Sequence, residues 1–226
     1  MRSLLSMRWD DLLFAHWPVD PEVVEPTLPD GLDVDTRDGD AYLGVVGFQM
    51  ASIRPRGVPV GLSFPELNLR TYVRADDGPG VYFYNLDAAD RVGVPIARTL
   101  FKLPYYRAEM RLDRAPDGDV TLRSRRRGDA PAARFAATYR PTGVEYEPED
   151  GTLAAFLTEN YRFYTGDGPI YYGDIGHPPW PLAPAAVDIE SNTLFAANGF
   201  DSPPGDPLVH YSPGVEVTAE RIRRVG

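Results

Sequence analysis

Cysteine is absent from this sequence of 226 residues, and lysine occurs once, at Lys102. Without cysteine the protein has no disulfide bonds, no thiolate nucleophile and no cysteine-ligated zinc or iron–sulfur centre. Acidic side chains number 33 against 23 basic ones, so the formal net charge is −10. A carboxylate-rich surface that is nearly free of lysine keeps a protein hydrated in concentrated salt, and therefore predicts a halophilic, archaeal host.

The excess of negative charge also restricts the partners of the protein. Binding of nucleic acid requires clustered Lys and Arg side chains that release counterions from phosphates, so no nucleic-acid partner is expected. One basic run occurs, between Arg123 and Arg127. We interpret it as the solvated end of a strand, and contact with an anion or a partner is the alternative.

Long apolar segments are also missing. A membrane-spanning helix requires about 18 or more consecutive apolar residues, and a signal peptide requires an apolar stretch of about 7–15. Neither occurs, and Met1–Arg8 is followed almost directly by the acidic Asp10 and Asp11. We therefore expect a cytoplasmic protein with no membrane partner.

Motifs for common cofactors are absent as well. The sequence has no glycine-rich phosphate loop, no nucleophile elbow and no HExxH pattern, so dinucleotide and ATP chemistry are not expected and no cofactor is predicted. The three histidines are His16, His177 and His210. No two of them have the spacing of metal ligands on one helix, so no metal site is predicted.

The 23 prolines and 21 glycines are distributed along the chain, as expected for turns between many short elements. No internal repeat or domain boundary is visible, and an all-β chain of this length commonly forms one domain, so residues 1–226 are predicted to form a single domain. Alternating apolar residues bounded by turn residues predict strands at 12–17, 32–36, 41–50, 62–74, 80–87, 98–103, 106–113, 120–127, 134–140 and 215–223.

Two helices and two tight turns complete the expected fold. Asp20 and Pro21 supply the N-cap and the first residue of a short helix that ends near Thr27. Apolar residues at helical spacing predict a second helix at 152–161. The dipeptides Asp38-Gly39 and Asp117-Gly118 predict hairpins between neighbouring strands. The pattern indicates a mostly β, α+β fold, with a large antiparallel barrel-like or bent sheet and a few peripheral helices.

The strand at 62–74 carries the most informative pattern. Its alternation places Leu67 on one face and Glu66, Asn68 and Arg70 on the other. The polar face is either exposed to solvent or lines a pocket inside a barrel. Inside a barrel we expect Glu66 and Arg70 within reach of each other, so that the arginine binds a substrate carboxylate while the glutamate transfers protons.

Two further side chains are candidates for catalysis. Lys102 has mainly apolar neighbours, and a desolvated lysine forms Schiff bases with carbonyl substrates. Alternatively, its stem lies on an apolar surface and its ammonium group is in water. His177 precedes a stiff Pro-Pro-Trp turn, which favours an acid–base role, and a hydrogen bond within the loop is the alternative. The aromatic segment from Tyr161 to Trp180 is typical of an apolar ligand pocket and equally of an ordinary core.

Five motifs occur in an order that resembles the YqjF-like family of uncharacterised proteins: Phe14–Trp17, Pro65–Val73, Leu103–Ala108, Phe156–Glu159 and His177–Pro181. The resemblance covers most of the chain. This family is similar to the acetoacetate decarboxylases and related aldolase-dehydratases, which implies their fold, a large antiparallel barrel-like sheet around a central pocket, and assembly into oligomers. It also implies a mechanism in which a lysine condenses with a β-keto acid while an arginine and glutamates orient the carboxylate.

The resemblance places Glu66 at the position of a pocket glutamate. The decarboxylases carry a Phe-Pro-Lys-Lys motif, whereas the corresponding segment here is Leu103–Tyr106, with Tyr105 and Tyr106 at the lysine positions. Lys102 lies three residues earlier. The classical decarboxylase activity, which uses that lysine pair, is therefore not expected.

Together these observations predict a protein with a pocket for a small carboxylate or carbonyl compound, on which it acts without the usual lysine pair. The residues expected to bind the ligand are Arg70, Asn68, Tyr105, Tyr106 and Trp180, and the catalytic candidates are Glu66, Lys102 and His177. One alternative is a non-catalytic module that binds a small ligand. Another is a Schiff-base decarboxylase or aldolase-dehydratase that uses Lys102.

Overall fold

The computed structural model describes residues 3–89, 101–166 and 168–225. Strands make up 57% of the structure, in keeping with the predicted fold class. Within the described ranges the strands form one sheet. They are β1 Leu5–Val19, β2 Asp33–Val34, β3 Ala41–Pro55, β4 Leu62–Ala75, β5 Gly78–Ala88, β6 Tyr105–Arg114, β7 Val120–Arg126, β8 Arg134–Pro141, β9 Arg162–Thr165, β10 Tyr171–Gly176, β11 Ala183–Asn192, β12 Leu208–Ala219 and β13 Arg223–Arg224.

Nine of these strands close into a barrel. Their order is β5, β6, β7, β8, β11, β12, β1, β3 and β4, and pairing of β4 with β5 closes the ring. All neighbours are antiparallel except β5 and β6, which are parallel. On the other side of the sheet, β9 pairs with β5 and β10 pairs with both β9 and β12, so these two strands close a second ring. The structure confirms the predicted barrel-like, mostly antiparallel architecture.

The two rings share a wall of five strands, β12, β1, β3, β4 and β5, which is covered on both faces. Because successive side chains alternate across a strand, β1 directs Leu12 and Phe14 to one side and Leu13 and Ala15 to the other. All four of these side chains are at most 1% exposed. Fully burying a Leu or Phe side chain contributes about 1.5–3 kcal/mol, so two apolar cores stabilise the fold, one on each side of the wall.

The wall curves because β1 bends at Asp11. This residue has a φ of 51°, and the register of β1 against β3 shifts between Asp10 and Leu13. The Asp11 carboxylate accepts hydrogen bonds from Arg114 and, at 2.7 Å, from the Tyr211 hydroxyl. Such bulges increase the local twist, which long strands need in order to close a barrel.

The helices named in the described ranges are short: α1 Pro21–Val24, α2 Leu153–Thr158 and α3 Leu194–Ala197. A 3-10 turn at Glu25–Thr27 extends α1, as the sequence predicts, and Asp20 caps it by accepting a hydrogen bond from the Glu22 amide at 2.9 Å. None of the helices in the described segments has the length and hydropathy of a membrane span.

Helix α2 is shorter than the predicted helix at 152–161. Thr152 caps its first turn by accepting from the Ala155 amide at 3.2 Å. At the other end, the Asn160 side chain donates to the Phe156 carbonyl at 3.0 Å. This bond satisfies a carbonyl of the last turn and lets the chain leave the helix three residues early to enter β9.

Several strand predictions are corrected by the structure. The turn at Asp38-Gly39 forms, but β2 pairs with β4 and not with β3, because β1 and β4 already occupy both edges of β3. The predicted strand at 98–103 lies partly outside the described residues, and its described part, 101–103, is not in a strand. Strands β9, β10 and β11 were not predicted, and the last predicted strand, 215–223, is the end of β12 followed by β13.

The basic run at 123–127 is not uniformly solvated. Alternation along β7 turns Arg123 outward, where it pairs with an exposed glutamate, and Arg127 makes a similar surface pair just after the strand. Arg126 points inward and forms an ion pair with Asp87 in which both side chains are 1% exposed. The segment that we interpreted as the solvated end of a strand therefore contributes one partner of a buried ion pair.

Candidate functional site

A cavity of about 260 Å³ lies on the Phe14 side of the shared wall. Its lining is mostly apolar and includes Phe48, Met50, Phe64, Leu103 and Trp180. The polar face of β4 opens into it: Glu66, Asn68 and Arg70 all line the cavity and are only 3%, 3% and 8% exposed. The polar face of this strand therefore lines a cavity and is not exposed to solvent, which is the second of the two interpretations of its sequence.

Glu66 is buried in the middle of this cavity lining. The Tyr105 hydroxyl donates a hydrogen bond to Glu66 Oε2 at 2.8 Å. Burial raises the pKa of Glu66 from 4.5 to about 7, and hydrogen bonds with Tyr105 and Asn68 only partly oppose this. A carboxyl group with a pKa near 7 exchanges protons readily at neutral pH, as a general acid or base requires.

Arg70 supplies a positive charge to the same cavity. Its Nη2 donates to the Leu157 carbonyl at 3.1 Å and to the Tyr72 hydroxyl at 3.4 Å, and its Cζ lies 5.8 Å from the centre of the Phe14 ring. Within the described ranges, Arg70 forms no ion pair with a carboxylate, and its buried Nε has no hydrogen-bond partner. The guanidinium is thus held in place by a carbonyl and two rings while its charge stays uncompensated.

Glu66 and Arg70, which we expected within reach of each other, line the same cavity but are not hydrogen-bonded to each other. Strand residues rise by about 3.3 Å each, so Cα atoms four residues apart are separated by about 13 Å. Asn68 lies between them on the same face of β4. The cavity therefore presents an acid–base group and a cationic group at two separate positions along its length.

His16, which we did not select as a candidate from the sequence, is hydrogen-bonded to Tyr72, a contact of Arg70. The Tyr72 hydroxyl lies 2.6 Å from the Leu157 carbonyl and 2.7 Å from His16 Nε2. Since Tyr72 has one hydroxyl proton and the carbonyl must accept it, His16 Nε2 donates to the tyrosine oxygen. Burial, together with Arg70, lowers the pKa of His16 well below 6.5, so its imidazole is neutral. The Phe14–Trp17 motif contains His16, but its partner lies on a distant strand.

Gly44 permits the close approach of His16 and Arg70. It is paired with His16 across β1 and β3 and with Arg70 across β3 and β4. A Cβ at this position would lie 2.7 Å from the imidazole Cδ2 and 3.5 Å from the Arg70 Cγ. The glycine therefore makes room for the ring and for the guanidinium stem behind the cavity.

Replacing Gly44 with alanine is expected to lower the free energy of unfolding by about 1–3 kcal/mol, because the imidazole must move off its hydrogen bond to Tyr72. Gly168→Ala is a matched control, since a Cβ there meets nothing within 4 Å. Urea denaturation measures both variants. Equal stability of the two would show that His16 is not held against Gly44.

Of the remaining residues that we predicted to bind the ligand, Tyr105 and Trp180 line the cavity and Tyr106 does not. Trp180 is fixed by its backbone amide, which donates to Glu159 Oε1 at 2.8 Å, and by its indole, which donates to the Thr158 carbonyl at 3.0 Å. Tyr106 has the opposite orientation on β6 and is not part of the lining, because its ring packs 4.1 Å from Arg126 Cζ on the other side of the wall.

Two of the three catalytic candidates lie outside the cavity. Lys102 is exposed, with Nζ 3.8 Å from the centre of the Tyr171 ring, so it is neither desolvated nor directed at the ligand space. His177 is not part of the lining. Its ring stacks on Tyr161, with the ring centres 4.5 Å apart, and packs at a tilt against Trp180, at 4.7 Å, so it contacts the cavity wall from outside. Burial lowers the pKa of His177. Among the described residues, no group of three or more potential ligands is placed to hold a metal.

The sheet order defines a fold that solved enzymes share. An acetoacetate decarboxylase-like enzyme from Sphingomonas wittichii RW1 matches with a TM-score of 0.69 at 14% identity, over 100% of this chain and 94% of that one. The enduracididine biosynthesis enzyme MppR, complexed with pyruvate, matches with a TM-score of 0.70 at 12% identity, over 100% and 92%. Acetoacetate decarboxylase from Legionella pneumophila matches with a TM-score of 0.63 at 12% identity, over 100% and 90%. The chain thus has an acetoacetate decarboxylase-like fold.

Sequence similarity then establishes the family. Residues 6–216 match the family DUF2071, described as an uncharacterized conserved protein. The uncharacterized protein YqjF of Bacillus subtilis (strain 168) is 40% identical over 225 residues, which cover 98% of this chain and 92% of that protein. The chain belongs to this family, and the resemblance carried by the five sequence motifs is confirmed.

Proposed function

We propose that the cavity binds a small organic acid, with the ligand carboxylate at Arg70, and that Glu66 exchanges a proton with the bound molecule. The observation that carries this proposal is the buried Arg70 guanidinium. Keeping an uncompensated charge out of water is costly, and a ligand carboxylate that accepts two parallel hydrogen bonds offsets that cost. Arginine presents a planar set of donors that fits a carboxylate.

Glu66 gives the proposed site its chemistry. With a pKa of about 7, it donates or accepts a proton at neutral pH, and Tyr105 orients it through one carboxylate oxygen. Proton transfer at a carbon or oxygen beside a carbonyl group is the reaction class that such a group supports. The fold is shared with acetoacetate decarboxylases and with an enzyme complexed with pyruvate, which agrees with an organic acid as ligand.

A Schiff-base mechanism through Lys102 receives no support from the geometry. Its ammonium group lies over the Tyr171 ring on the outside of the sheet, and tyrosines occupy the positions that correspond to the decarboxylase lysines. The presence of tyrosines at these lysine positions also favours a second candidate function, a module that binds an acid without converting it. Mass analysis of a bound acid after incubation separates the two, because turnover changes its mass or its isotope content in D2O and binding alone changes neither.

The test of ligand binding compares organic acids with their primary amides by isothermal titration calorimetry. We expect acids to bind more tightly than amides, and Arg70→Gln to weaken acid binding by about 10- to 100-fold, as loss of a charged hydrogen bond implies. Arg70→Lys retains the charge and should lose less. Arg74→Gln is the matched control, because Arg74 is on the same strand but its side chain is 57% exposed. Acid binding that survives Arg70→Gln unchanged would overturn the proposal.

A further inference from the structure

The cavity is elongated along β4. The five side chains on the inner face of this strand, from Leu62 to Arg70, all line it. At about 3.3 Å per residue, their Cα atoms extend over about 26 Å. The neighbouring strand β3 follows the same course, since Val46, Phe48 and Met50 line the cavity in succession. A ligand that fills such a space is a chain and not a compact molecule.

The polar groups of β4 occupy one half of this space. Arg70 lies at the buried end, beside Thr158 of α2, and Asn68 and Glu66 follow. Beyond Glu66 the β4 side chains in the lining are apolar, with Phe64 and then Leu62. Leu62 is 40% exposed, so this second end opens toward solvent. Arg54 of β3 also contributes to the lining at this end, where its guanidinium donates to the Ser52 carbonyl. Along β4 the lining is polar at the buried end and apolar toward the mouth, which matches an amphipathic molecule whose charged group enters first.

The volume sets the size of that molecule. An apolar cavity of about 150 Å³ accommodates benzene, with six carbon atoms. On the same scale the 260 Å³ of this cavity accommodates about ten carbon atoms. Two- to four-carbon acids would leave most of the apolar lining uncovered.

From these observations, and resting on the proposed function, we infer that the ligand is a medium-chain monocarboxylic acid of about ten carbons, bound with its carboxylate at Arg70 and its apolar tail toward Leu62. The apolar lining then contributes most of the affinity, and Arg70 selects the acid over the corresponding alcohol or amide. Trp9 and Trp180 both lie in the lining and report on binding through their fluorescence.

The test is a series of straight-chain saturated monocarboxylates from acetate to tetradecanoate, titrated below their micelle concentrations. Each buried methylene is expected to tighten binding about fourfold, up to about ten carbons. Beyond that length the affinity should level off, because about ten carbon atoms fill the 260 Å³ of the cavity. Arg70→Gln should weaken binding of every acid by the same factor and leave the dependence on chain length intact.

A variant of the lining tests the position of the tail. Ala88 is fully buried, lines the cavity and is paired with Glu66 across β4 and β5. Ala88→Leu should shorten the chain length at which affinity levels off. Urea denaturation shows whether the variant is folded, and the wild-type series tests the inference if it is not.

The possible results separate this inference from the function on which it rests. If short acids bind through Arg70 and affinity does not increase with chain length, the medium-chain ligand is wrong and the acid site stands. If affinity increases with length but Arg70→Gln has no effect, the orientation is wrong. If no acid of any length binds, both the inference and the proposed function are overturned.

Discussion

Replacing Arg126 with methionine is expected to lower the free energy of unfolding by about 3–5 kcal/mol. Arg126 Nε donates to Asp87 Oδ1 at 2.8 Å, and both side chains are 1% exposed. Without the guanidinium, the Asp87 carboxylate stays buried with no opposite charge. Burial already raises the pKa of Asp87 while Arg126 lowers it, so removing Arg126 raises the pKa further. Urea denaturation at pH 7 measures the loss.

The dependence of this loss on pH distinguishes a buried charge from a simple packing defect. A carboxyl group with a raised pKa stabilises the folded state at low pH, where it is protonated, and that stabilisation is lost as the pH rises through the folded pKa. The destabilisation by Arg126→Met should therefore grow toward alkaline pH. A defect that came only from lost contacts with the Tyr106 ring would be the same at every pH.

Two further variants complete the comparison. Arg127→Met is the matched control, because Arg127 pairs with Glu109 at the surface, with side chains 39% and 66% exposed, and should lose less than about 1 kcal/mol. The double variant Asp87→Leu with Arg126→Met replaces both charges by apolar groups and should recover most of the stability. Equal effects of the changes at Arg126 and Arg127 would contradict a buried ion pair.

The buried ion pair also illustrates which parts of the fold a sequence pattern reveals. Alternation within one strand is a local property, so the inward polar face of β4 follows from the order of its residues. What a residue meets across the barrel is not local. Arg126 meets Asp87 of β5, 39 residues earlier, and Tyr72 meets His16, 56 residues earlier. The first pair depends on the parallel pairing of β5 with β6, and the second on the position of β3 between β1 and β4.

Misplaced candidates have equally specific physical reasons. Lys102 has a φ of 53°, in the left-handed region, and does not lie in the strand that we predicted at 98–103. Tyr106 was grouped with Tyr105 by the motif, although neighbouring strand residues face opposite sides.

The single domain, the cytoplasmic location, the assembly into oligomers and the salt-adapted archaeal host stay predictions, and the YqjF relative is from a Bacillus.

Replacing Glu66 with glutamine is expected to change how the free energy of unfolding depends on pH. Relative to the wild type, the variant should gain about 3 kcal/mol of stability between pH 5 and pH 8. Burial raises the pKa of Glu66 from 4.5 to about 7. A shift of this size corresponds to about 3 kcal/mol of stability, present below pH 4.5 and lost as the pH rises to about 7. Glutamine does not titrate, so the variant avoids that loss while its side-chain oxygen still accepts the Tyr105 hydrogen bond.

Only the difference between the two proteins isolates Glu66. Burial lowers the pKa of all three histidines, and a base with a lowered pKa makes stability rise with pH, opposite to Glu66. Both proteins contain these histidines, so urea denaturation from pH 5 to pH 8 cancels their effect. Glu216→Gln, which changes an exposed carboxylate to the same amide, is the matched control. A constant difference between wild type and Glu66→Gln would mean that Glu66 is ionised throughout.

The same titration controls ligand binding if the proposed function is correct. An ionised Glu66 repels the carboxylate of a ligand bound in the same cavity, whereas a protonated Glu66 is neutral toward it. Organic acids should therefore bind the wild type more weakly as the pH rises above about 7, while the ligand itself stays fully ionised over this range. Glu66→Gln should bind with an affinity that is independent of pH between 6 and 8. An equal pH dependence in both proteins would mean that the charge of Glu66 does not act on the bound ligand.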